Sequence, residues 1–277
     1  MKILIFSDLD GTFMNHNDYS YSNLKKFISK IKKKSEIIFT SSKTFCEMVK
    51  VYENLNICFP FIVENGGCIF FPKDYLNFKN IGQKNFFVHE NFIGLPIGRN
   101  NLRSLKNNIK KINIEKDFKF SFFSELNDDE LIKFTNLKIK NIEDSKKRQF
   151  SDPIYWKDTK KKFKIFKKQL KEKKIIVSEG GRFIHSNFDY DKGKAVCKFL
   201  KIYKKQKSKK ILTISLGDSE NDLSMLELTN YSCLIKSPKK KKLYLKKSFN
   251  NYYSQMEAPN GWKESLEYIF KKENVNF

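Results

Sequence analysis

The fold is decided by residues 2–12, KILIFSDLDGT, in which a short apolar run leads directly into two aspartates. The run Lys2–Ser7 lacks the alternation of a half-buried strand, and its isoleucines favour a strand that is covered on both faces. In an open parallel sheet, ligands bind beyond the carboxyl ends of the strands. The run therefore predicts a buried parallel strand that delivers Asp8 and Asp10 to a ligand site, with Gly11 letting the chain turn away.

Strand and helix patterns alternate on both sides of a less regular middle. Before it, strands are predicted at 36–40, 60–63 and 69–71, and helices at 21–33 and 43–55. After it, strands are predicted at 211–216 and 232–235, and helices at 194–203 and 222–228. In the middle, helices are predicted at 127–137 and 159–173, a strand at 153–156, and a hairpin at 174–186 around Gly180 and Gly181. Alternation of strands and helices is typical of the α/β class.

Composition excludes several classes of protein. With 277 residues, of which 40% are hydrophobic and 15% aromatic, the chain has enough apolar side chains for a core and is not disordered. No apolar run reaches the roughly 18 residues of a membrane-spanning helix, and aspartates follow the first strand where a signal peptide would stay apolar. Five scattered cysteines without a CxxC pair argue against a disulfide framework or a zinc site. We expect a cytoplasmic protein with reduced cysteines.

The net charge of +24 is carried by lysine. Of the 55 basic residues, only four are arginines: Arg99, Arg103, Arg148 and Arg182. Proteins that read nucleic-acid bases rely on the bidentate fork of arginine, so the excess is more typical of a solvated surface that favours anionic substrates. The lysine-rich stretch 236–247 is interpreted in the same way. A basic nucleic-acid-binding protein remains a remote alternative.

A second acidic motif, GDSEND at 217–222, directly follows the apolar strand 211–216. Asp218 and Asp222 stand four residues apart at the start of a helix, so they can share one side. Together with Asp8 and the backbone carbonyl of Asp10, they offer the hard oxygen ligands that suit Mg²⁺. Acidic residues also cap helices, but two such motifs after two buried strands favour a metal site.

Two further segments offer groups that bind phosphate. The stretch TSSKT at 40–44 follows a strand, and hydroxyls with backbone N–H groups at a helix N-terminus form an anion site, although ordinary helix capping would explain it too. The stretch DKGK at 191–194 opens another helix. One of its lysines can neutralise phosphate charge, while a plain surface lysine is the alternative in so basic a chain.

Taken in order, these four segments resemble the motifs of the haloacid dehalogenase superfamily. The resemblance implies that Asp8 is a nucleophile and Asp10 a general acid and base. It also implies that Ser41, or Thr40 in its place, and Lys192 share the charge of the phosphoryl oxygens. The metal ligands it implies are Asp8, Asp10, Asp218 and Asp222.

The long interval between Ser41 and Lys192 resembles the subgroup of this superfamily that carries an inserted α/β cap. It implies a Rossmann-like core with a parallel sheet, formed by residues 1–84 and 188–277, and a cap domain at 85–187.

More of the chain resembles the mannosyl-3-phosphoglycerate phosphatase family. The matching segments are SSKT (41–44), PFIVENGG (60–67), RQFSDP (148–153), GGRFIH (180–185), DKGKAV (191–196) and APNGW (258–262). The resemblance implies Mg²⁺-dependent hydrolysis of mannosyl-3-phosphoglycerate, through an aspartyl-phosphate, to phosphate and the compatible solute mannosylglycerate. The alternative is a phosphatase for another sugar phosphate, such as glucosyl-3-phosphoglycerate, sucrose phosphate or a hexose phosphate. A phosphomutase would need a phosphorylated activator.

Substrate contacts are predicted at Lys43, Glu64, Asn65, Arg148, Gly180, Gly181 and Arg182. Arg182 stands beside two glycines that allow close approach, and its fork suits the carboxylate of a glycerate. A hairpin turn with a surface arginine is an equally weighted alternative. Arg148 carries a weaker form of the same argument, and His185 is predicted to pack or to support the site rather than to catalyse.

Overall fold

The computed structural model describes residues 1–78, 85–98, 102–135, 137–180, 183–207, 210–237, 243–246 and 248–276. The strands are β1 (Lys2–Ser7), β2 (Ser35–Phe39), β3 (Phe61–Val63), β4 (Cys68–Pro72), β5 (Phe87–His89), β6 (Phe92–Pro96), β7 (Phe120–Phe122), β8 (Ile154–Trp156), β9 (Ile176–Gly180), β10 (Phe183–Asn187), β11 (Ile211–Gly217), β12 (Tyr231–Lys236) and β13 (Asn251–Glu257). The helices are α1 (Lys25–Ile31), α2 (Phe45–Leu55), α3 (Leu102–Lys116), α4 (Asp128–Thr135), α5 (Ile139–Lys146), α6 (Lys160–Glu172), α7 (Lys192–Gln206), α8 (Leu223–Leu226) and α9 (Asn260–Lys272).

A parallel five-stranded sheet, in the order β13-β12-β11-β1-β2, forms the centre of the molecule. Strand β1 lies inside this sheet, between β11 and β2, and is covered on both faces. Ile3 and Ile5 pack into the layer that contains α1, α2 and α9, while Leu4 and Phe6 pack into the layer that contains α7. The prediction of a buried parallel strand is confirmed, and the carboxyl ends of β11, β1 and β2 meet at one edge of the sheet.

A second, antiparallel sheet in the order β3-β4-β6-β5 continues from the edge strand β2 through a bridge between Thr40 and Ile62. The predicted boundary between core and cap at residue 84 divides this sheet, because β5 and β6 pair with each other and β6 pairs with β4. Leu95 and Ile97 also pack into the layer of α7. Strands β5 and β6 therefore belong to the sheet of β3 and β4 rather than to the sheet of the cap, and the division of the chain into domains stays a prediction.

The inserted unit has its own sheet, β7-β8-β10-β9, and its own apolar core. Helices α3 and α6 cover one face of this sheet through Leu105, Ile109, Phe166 and Leu170. Strand β10 ends at Asn187, and α7 then returns the chain to the parallel sheet. The α/β class, with a parallel sheet and an additional sheet-bearing unit, is confirmed.

Some predicted elements differ in their extent. The helix predicted at 21–33 begins with a 3₁₀ turn at Ser22–Leu24 and is α-helical only over Lys25–Ile31. The helix predicted at 222–228 is a 3₁₀ turn at Glu220–Asp222 followed by Leu223–Leu226. None of the helices in the described part of the chain is long and apolar enough to span a membrane.

The last helix, α9, is tied to the end of β1 by Trp262. This side chain is fully buried against Phe13 and Phe27, and its indole N–H donates to Ser7 Oγ at 2.8 Å. Ser7 Oγ in turn donates to the backbone carbonyl of Asp8 at 2.7 Å. The backbone at the predicted nucleophile is therefore held by a chain of hydrogen bonds that starts in the hydrophobic core.

We expect Trp262→Phe to lower the free energy of unfolding by about 2–3 kcal/mol, because it leaves a cavity and removes the donor to Ser7. Urea denaturation followed by circular dichroism measures this loss. The matched control is Trp156→Phe, because Trp156 is only half-buried and donates at 3.3 Å to an exposed carbonyl, that of Thr159. Equal losses in the two variants would contradict the role assigned to Trp262.

Candidate active site

The loop after β1 brings two acidic residues to the edge of the parallel sheet. Gly11 has a φ of +82°, and a Cβ there would lie 2.9 Å from Asp218 Oδ2, so the residue must be glycine for the loop to approach Asp218. Thr12 Oγ1 completes the contact by donating to Asp218 Oδ1 at 3.4 Å. The predicted turn at Gly11 therefore sets Asp8 beside the acidic residues that follow β11.

Three buried carboxylates, those of Asp8, Asp218 and Asp222, form a cluster in which their oxygens lie within 4.8 Å of one another. They are 6%, 2% and 0% exposed, so little water solvates their charge. Burial raises the pKa of Asp8 to about 7; Lys192 opposes this rise, and the neighbouring carboxylates of Asp222, Asp218 and Asp10 add to it. Because buried carboxylates this close together also repel one another, positive charge nearby would stabilise the cluster.

Lys192 supplies one positive charge at the start of α7. Its fully buried Nζ donates to Asp8 Oδ1 at 2.6 Å and to Asp222 Oδ1 at 2.7 Å. Burial alone would lower the pKa of Lys192, but the carboxylates of Asp222 and Asp8 outweigh burial and raise it, so the ammonium stays charged. One ammonium among three carboxylates leaves negative charge that a divalent cation would neutralise, and their oxygen donors suit a hard ion.

Asp222 has both oxygens engaged. Its Oδ1 accepts from Lys192, while its Oδ2 accepts from the backbone N–H groups of Asp218 at 3.0 Å and Ser219 at 2.9 Å. The side chain therefore orients Lys192 and the loop that carries Asp218. Its role as a direct metal ligand stays a prediction.

Asp10 points away from this cluster, toward Lys43. Their ion pair measures 3.0 Å, and Glu47 lies 3.8 Å from the same ammonium. Burial lowers the pKa of Lys43, but Asp10 and Glu47 outweigh burial and raise it, so Asp10 has a permanent cation beside it. The metal contact predicted for Asp10 runs through its backbone carbonyl and stays a prediction.

The turn after β2 buries Thr40 and Ser41 completely. Ser41 Oγ accepts from the backbone N–H of Lys43 at 3.3 Å, and its carbonyl accepts from the N–H of Asn65 at 2.9 Å. Thr44 caps α2 through a capping box with Glu47, so ordinary capping accounts for that hydroxyl. The phosphate contact predicted for Ser41, with Thr40 as its substitute, stays a prediction.

Glu64 anchors the loop that connects α5 to β8 in the cap. Its carboxylate accepts hydrogen bonds from the N–H groups of Gln149, Phe150 and Ser151, at 2.9, 3.1 and 2.7 Å, and from Ser151 Oγ at 2.8 Å. The side chain is 1% exposed. These contacts account for Glu64 as a support for the loop, and the substrate contact predicted for it is untested.

Arg148 begins this loop and crosses from the cap to the core. Its Nη2 donates to the carbonyl of Ser42 at 2.7 Å and to Ser151 Oγ at 3.0 Å, while the guanidinium lies 5.7 Å from the ring centre of Phe123. Asn65 lies on the core side, where its Oδ1 accepts from Asn221 Nδ2 at 3.1 Å. Asn65 Nδ2 is buried and has no hydrogen-bond partner among the described residues.

A cavity of about 170 Å³ opens between the core and the cap. Asp8, Asp10 and Lys43 line it from the core, and Arg148 and His185 line it from the cap. The apolar part of its wall is formed by Phe123, Phe134, Leu137, Pro153 and Phe183. We call the core residues Asp8, Asp10 and Lys43 the charged floor of the cavity. The apolar residues, three of them phenylalanines, form its aromatic wall.

Two predicted substrate residues cannot be placed in this cavity, because Gly181 and Arg182 lie outside the described residues. The backbone of Gly180 is described, as the last residue of β9. Sequence reasoning missed Tyr19, Phe123 and Phe183 as lining residues. The position of Tyr19 shortly after the loop that carries Asp8 was a weak indication that it lines the site. No feature of the sequence distinguished Phe123 and Phe183 from the many other aromatic residues.

Comparison with known proteins identifies the family. A model of the haloacid dehalogenase-like hydrolases matches residues 5–244. The chain belongs to this family. A subclass IIB sugar phosphatase of the haloacid dehalogenase superfamily has a similar solved structure, with a TM-score of 0.62, 15% identity and full coverage of both chains. This hydrolase therefore has the fold that its motifs predict.

Two curated relatives are similar over most of their length. The glucosyl-3-phosphoglycerate/mannosyl-3-phosphoglycerate phosphatase of Persephonella marina is 32% identical over 268 residues, which cover 95% of this chain and 96% of the relative. The mannosyl-3-phosphoglycerate phosphatase of Pyrococcus furiosus is 32% identical over 234 residues, which cover 84% and 90%. The family resemblance read from the motifs is confirmed.

His185 should make the stability of the protein depend on pH. Burial, together with the charges of Arg148 and Lys192, lowers its pKa to about 3, whereas an unfolded histidine has a pKa of about 6.5. The unfolded chain therefore binds the additional proton between these values, and the free energy of unfolding falls as the pH falls below about 6.5.

We expect the loss of unfolding free energy from pH 7 to pH 5 to be about 2 kcal/mol larger in the wild type than in His185→Phe. Urea denaturation at both pH values measures it. His16 and His89, the other two histidines, are present in both proteins and cancel. The same pH dependence in the two proteins would show that His185 is not held neutral.

Proposed function

We propose that this hydrolase is a Mg²⁺-dependent phosphatase that cleaves mannosyl-3-phosphoglycerate into mannosylglycerate and phosphate. The observation that carries the proposal is the buried Asp8, held by Lys192, at the floor of a cavity that also contains Asp10. The names of the two curated relatives support the substrate class. Glucosyl-3-phosphoglycerate, which the name of one relative includes, is the first alternative, and sucrose phosphate or a hexose phosphate follows.

Asp8 acts as the nucleophile. Its carboxylate attacks the phosphorus in line, forms an oxygen–phosphorus bond and displaces the glycerate oxygen, which leaves an aspartyl-phosphate. Lys192 holds Asp8 Oδ1 at 2.6 Å and so fixes the orientation of the attacking group. Because Lys192 is charged and buried, its field also favours the dianionic phosphoryl group.

Asp10 acts as the general acid and then as the general base. It gives a proton to the departing glycerate oxygen, which would otherwise leave as an unstable alkoxide. It then takes a proton from the water that attacks the phosphorus of the aspartyl-phosphate, which frees Asp8 and phosphate. Its side chain is 33% exposed and lines the cavity, so both the leaving oxygen and water can reach it.

Asp8 and Asp218 would hold the cation, with the Asp10 carbonyl as a further donor, while Asp222 orients them. When bound there, Mg²⁺ would neutralise charge on the phosphoryl oxygens and so lower their repulsion with the carboxylate of Asp8. Lys43 and Arg148 add two positive charges to the lining of the cavity, between Asp10 and the cap. These charges suit a substrate with a second acidic group. We retain the assignment of the glycerate carboxylate to Arg182 as part of the proposal.

A panel of phosphate esters tests the substrate. We expect the highest kcat/KM for mannosyl-3-phosphoglycerate or glucosyl-3-phosphoglycerate, because sucrose phosphate and hexose phosphates lack the glycerate carboxylate. Asp8→Asn should lower every rate by roughly a thousandfold or more, since an amide cannot attack phosphorus. Asp129→Asn, a change at an exposed position of the cap, is the control.

Preference for a hexose phosphate would refute the proposed substrate. An Asp8→Asn rate within about tenfold of wild type, a barrier change of ~1.4 kcal/mol, would refute the nucleophile.

Removal of metal should silence the enzyme. We expect EDTA to abolish phosphate release and Mg²⁺ to restore it, because the three carboxylates carry more negative charge than Lys192 neutralises. Asp218→Ala should raise the Mg²⁺ concentration needed for half-maximal activity or end activity, as a titration with p-nitrophenyl phosphate would measure. Undiminished hydrolysis in chelator would contradict the metal site.

A further inference from the structure

His185 is aimed at the cavity by the geometry of its strand. Side chains along a strand alternate between its faces, so residues 183 and 185 of β10 share one face. Both line the cavity, while Ile184 between them packs into the apolar core of the cap. The rigid sheet of the cap therefore fixes where the imidazole lies.

The ring has an unmet hydrogen-bonding capacity. His185 is 9% exposed, and its Nδ1 is buried without a hydrogen-bond partner among the described residues. Nearly all buried polar atoms in proteins are hydrogen-bonded, because the free-energy cost of removing an unpaired polar atom from water is not offset by a new hydrogen bond. A residue that lines a cavity and has an unpaired nitrogen indicates that a ligand in the cavity supplies the missing hydrogen-bond partner.

The protonation state of the His185 imidazole limits which chemical groups of a ligand can pair with it. Burial and the charges of Arg148 and Lys192 keep the imidazole neutral. A neutral imidazole carries one donor and one acceptor nitrogen, whereas an anion needs donors, which Lys43 and Arg148 already supply. A hydroxyl both donates and accepts, so it is the group that matches His185.

The surroundings of His185 are aromatic. Phe123 and Phe183 line the same cavity and pack edge to face, with ring centres 5.3 Å apart. A mostly apolar wall with a few convergent polar groups is the usual lining of a small-molecule site. A sugar ring complements such a lining, because its apolar C–H faces can pack on the aromatic rings and the hydroxyls at its rim can hydrogen-bond the polar groups.

We propose that His185 is a specificity residue that hydrogen-bonds a hydroxyl of the substrate's sugar, which lies against Phe123 and Phe183. This inference rests on the proposed function and deepens it, because it assigns the sugar to the cap. His185 touches no reacting atom in this arrangement. It selects among substrates and leaves the chemistry to the core.

The test is a specificity ratio, kcat/KM for mannosyl-3-phosphoglycerate divided by kcat/KM for p-nitrophenyl phosphate, which carries no sugar. His185→Phe should lower the ratio by about tenfold or more, and His185→Asn, whose amide keeps a donor and an acceptor, should recover part of it. Ser186→Ala is the matched control, because Ser186 is the next residue of β10, is also buried, and its hydroxyl has no hydrogen-bond partner within the described part of the chain. It should leave the ratio unchanged.

Substrates that lack single sugar hydroxyls separate recognition from a structural effect. In the wild type, removal of the hydroxyl that His185 binds should cost about tenfold in kcat/KM, and in His185→Phe the same removal should cost almost nothing more. The inference would be overturned if His185→Phe left the specificity ratio unchanged. It would also be overturned if removal of each sugar hydroxyl lowered kcat/KM equally in the wild type and in His185→Phe. A wild type that releases phosphate from p-nitrophenyl phosphate but from no glycosyl-3-phosphoglycerate would instead refute the proposed substrate, and this assignment of His185 with it.

Discussion

One buried ammonium, that of Lys192, holds the rest of the site together. It lies between Asp8 and Asp222, and both ion pairs are almost fully removed from water. Burying charges costs several kcal/mol per ion, and apolar replacements of such pairs are often no less stable. The arrangement is therefore better explained by the chemistry than by stability. It orients Asp8, the proposed nucleophile, and opposes the rise in the pKa of Asp8 that burial and the neighbouring carboxylates cause.

The cap is joined to this centre by contacts that end beside it. Tyr19 donates to the carbonyl of Thr135 at 2.6 Å, and Thr44 Oγ1 donates to the carbonyl of Asp144 at 2.9 Å. Together with the Glu64 carboxylate under the 149–151 loop, they set the aromatic wall over the charged floor. The proposed recognition of the sugar and the proposed chemistry would thus lie in two different units of the structure.

The residues of the floor could be predicted from the sequence because each follows a strongly apolar strand or opens a helix. Asp8 and Asp218 carry that local signal, and parallel strands bring their carboxyl ends together. The wall could not be predicted, because Phe123 and Phe183 become neighbours only through the fold of the cap. Glu64 illustrates the same limit, since the partners of its carboxylate lie more than eighty positions away along the chain. The strands β5 and β6 were missed because the pairing of β5 with β6 and of β6 with β4 has no local signature.

The central claim is that Asp8 becomes phosphorylated during turnover. Acid quenching of the wild type in the first turnover with mannosyl-3-phosphoglycerate, followed by peptide mass spectrometry, tests it most directly. Asp10→Asn should increase the trapped amount for p-nitrophenyl phosphate, because its good leaving group needs no acid whereas hydrolysis of the intermediate still needs the base. The account predicts a phosphoryl group on the peptide that contains Asp8, at that residue and not at Asp10. Product formed in a first turnover with no phosphorylated Asp8 at any time point would contradict it.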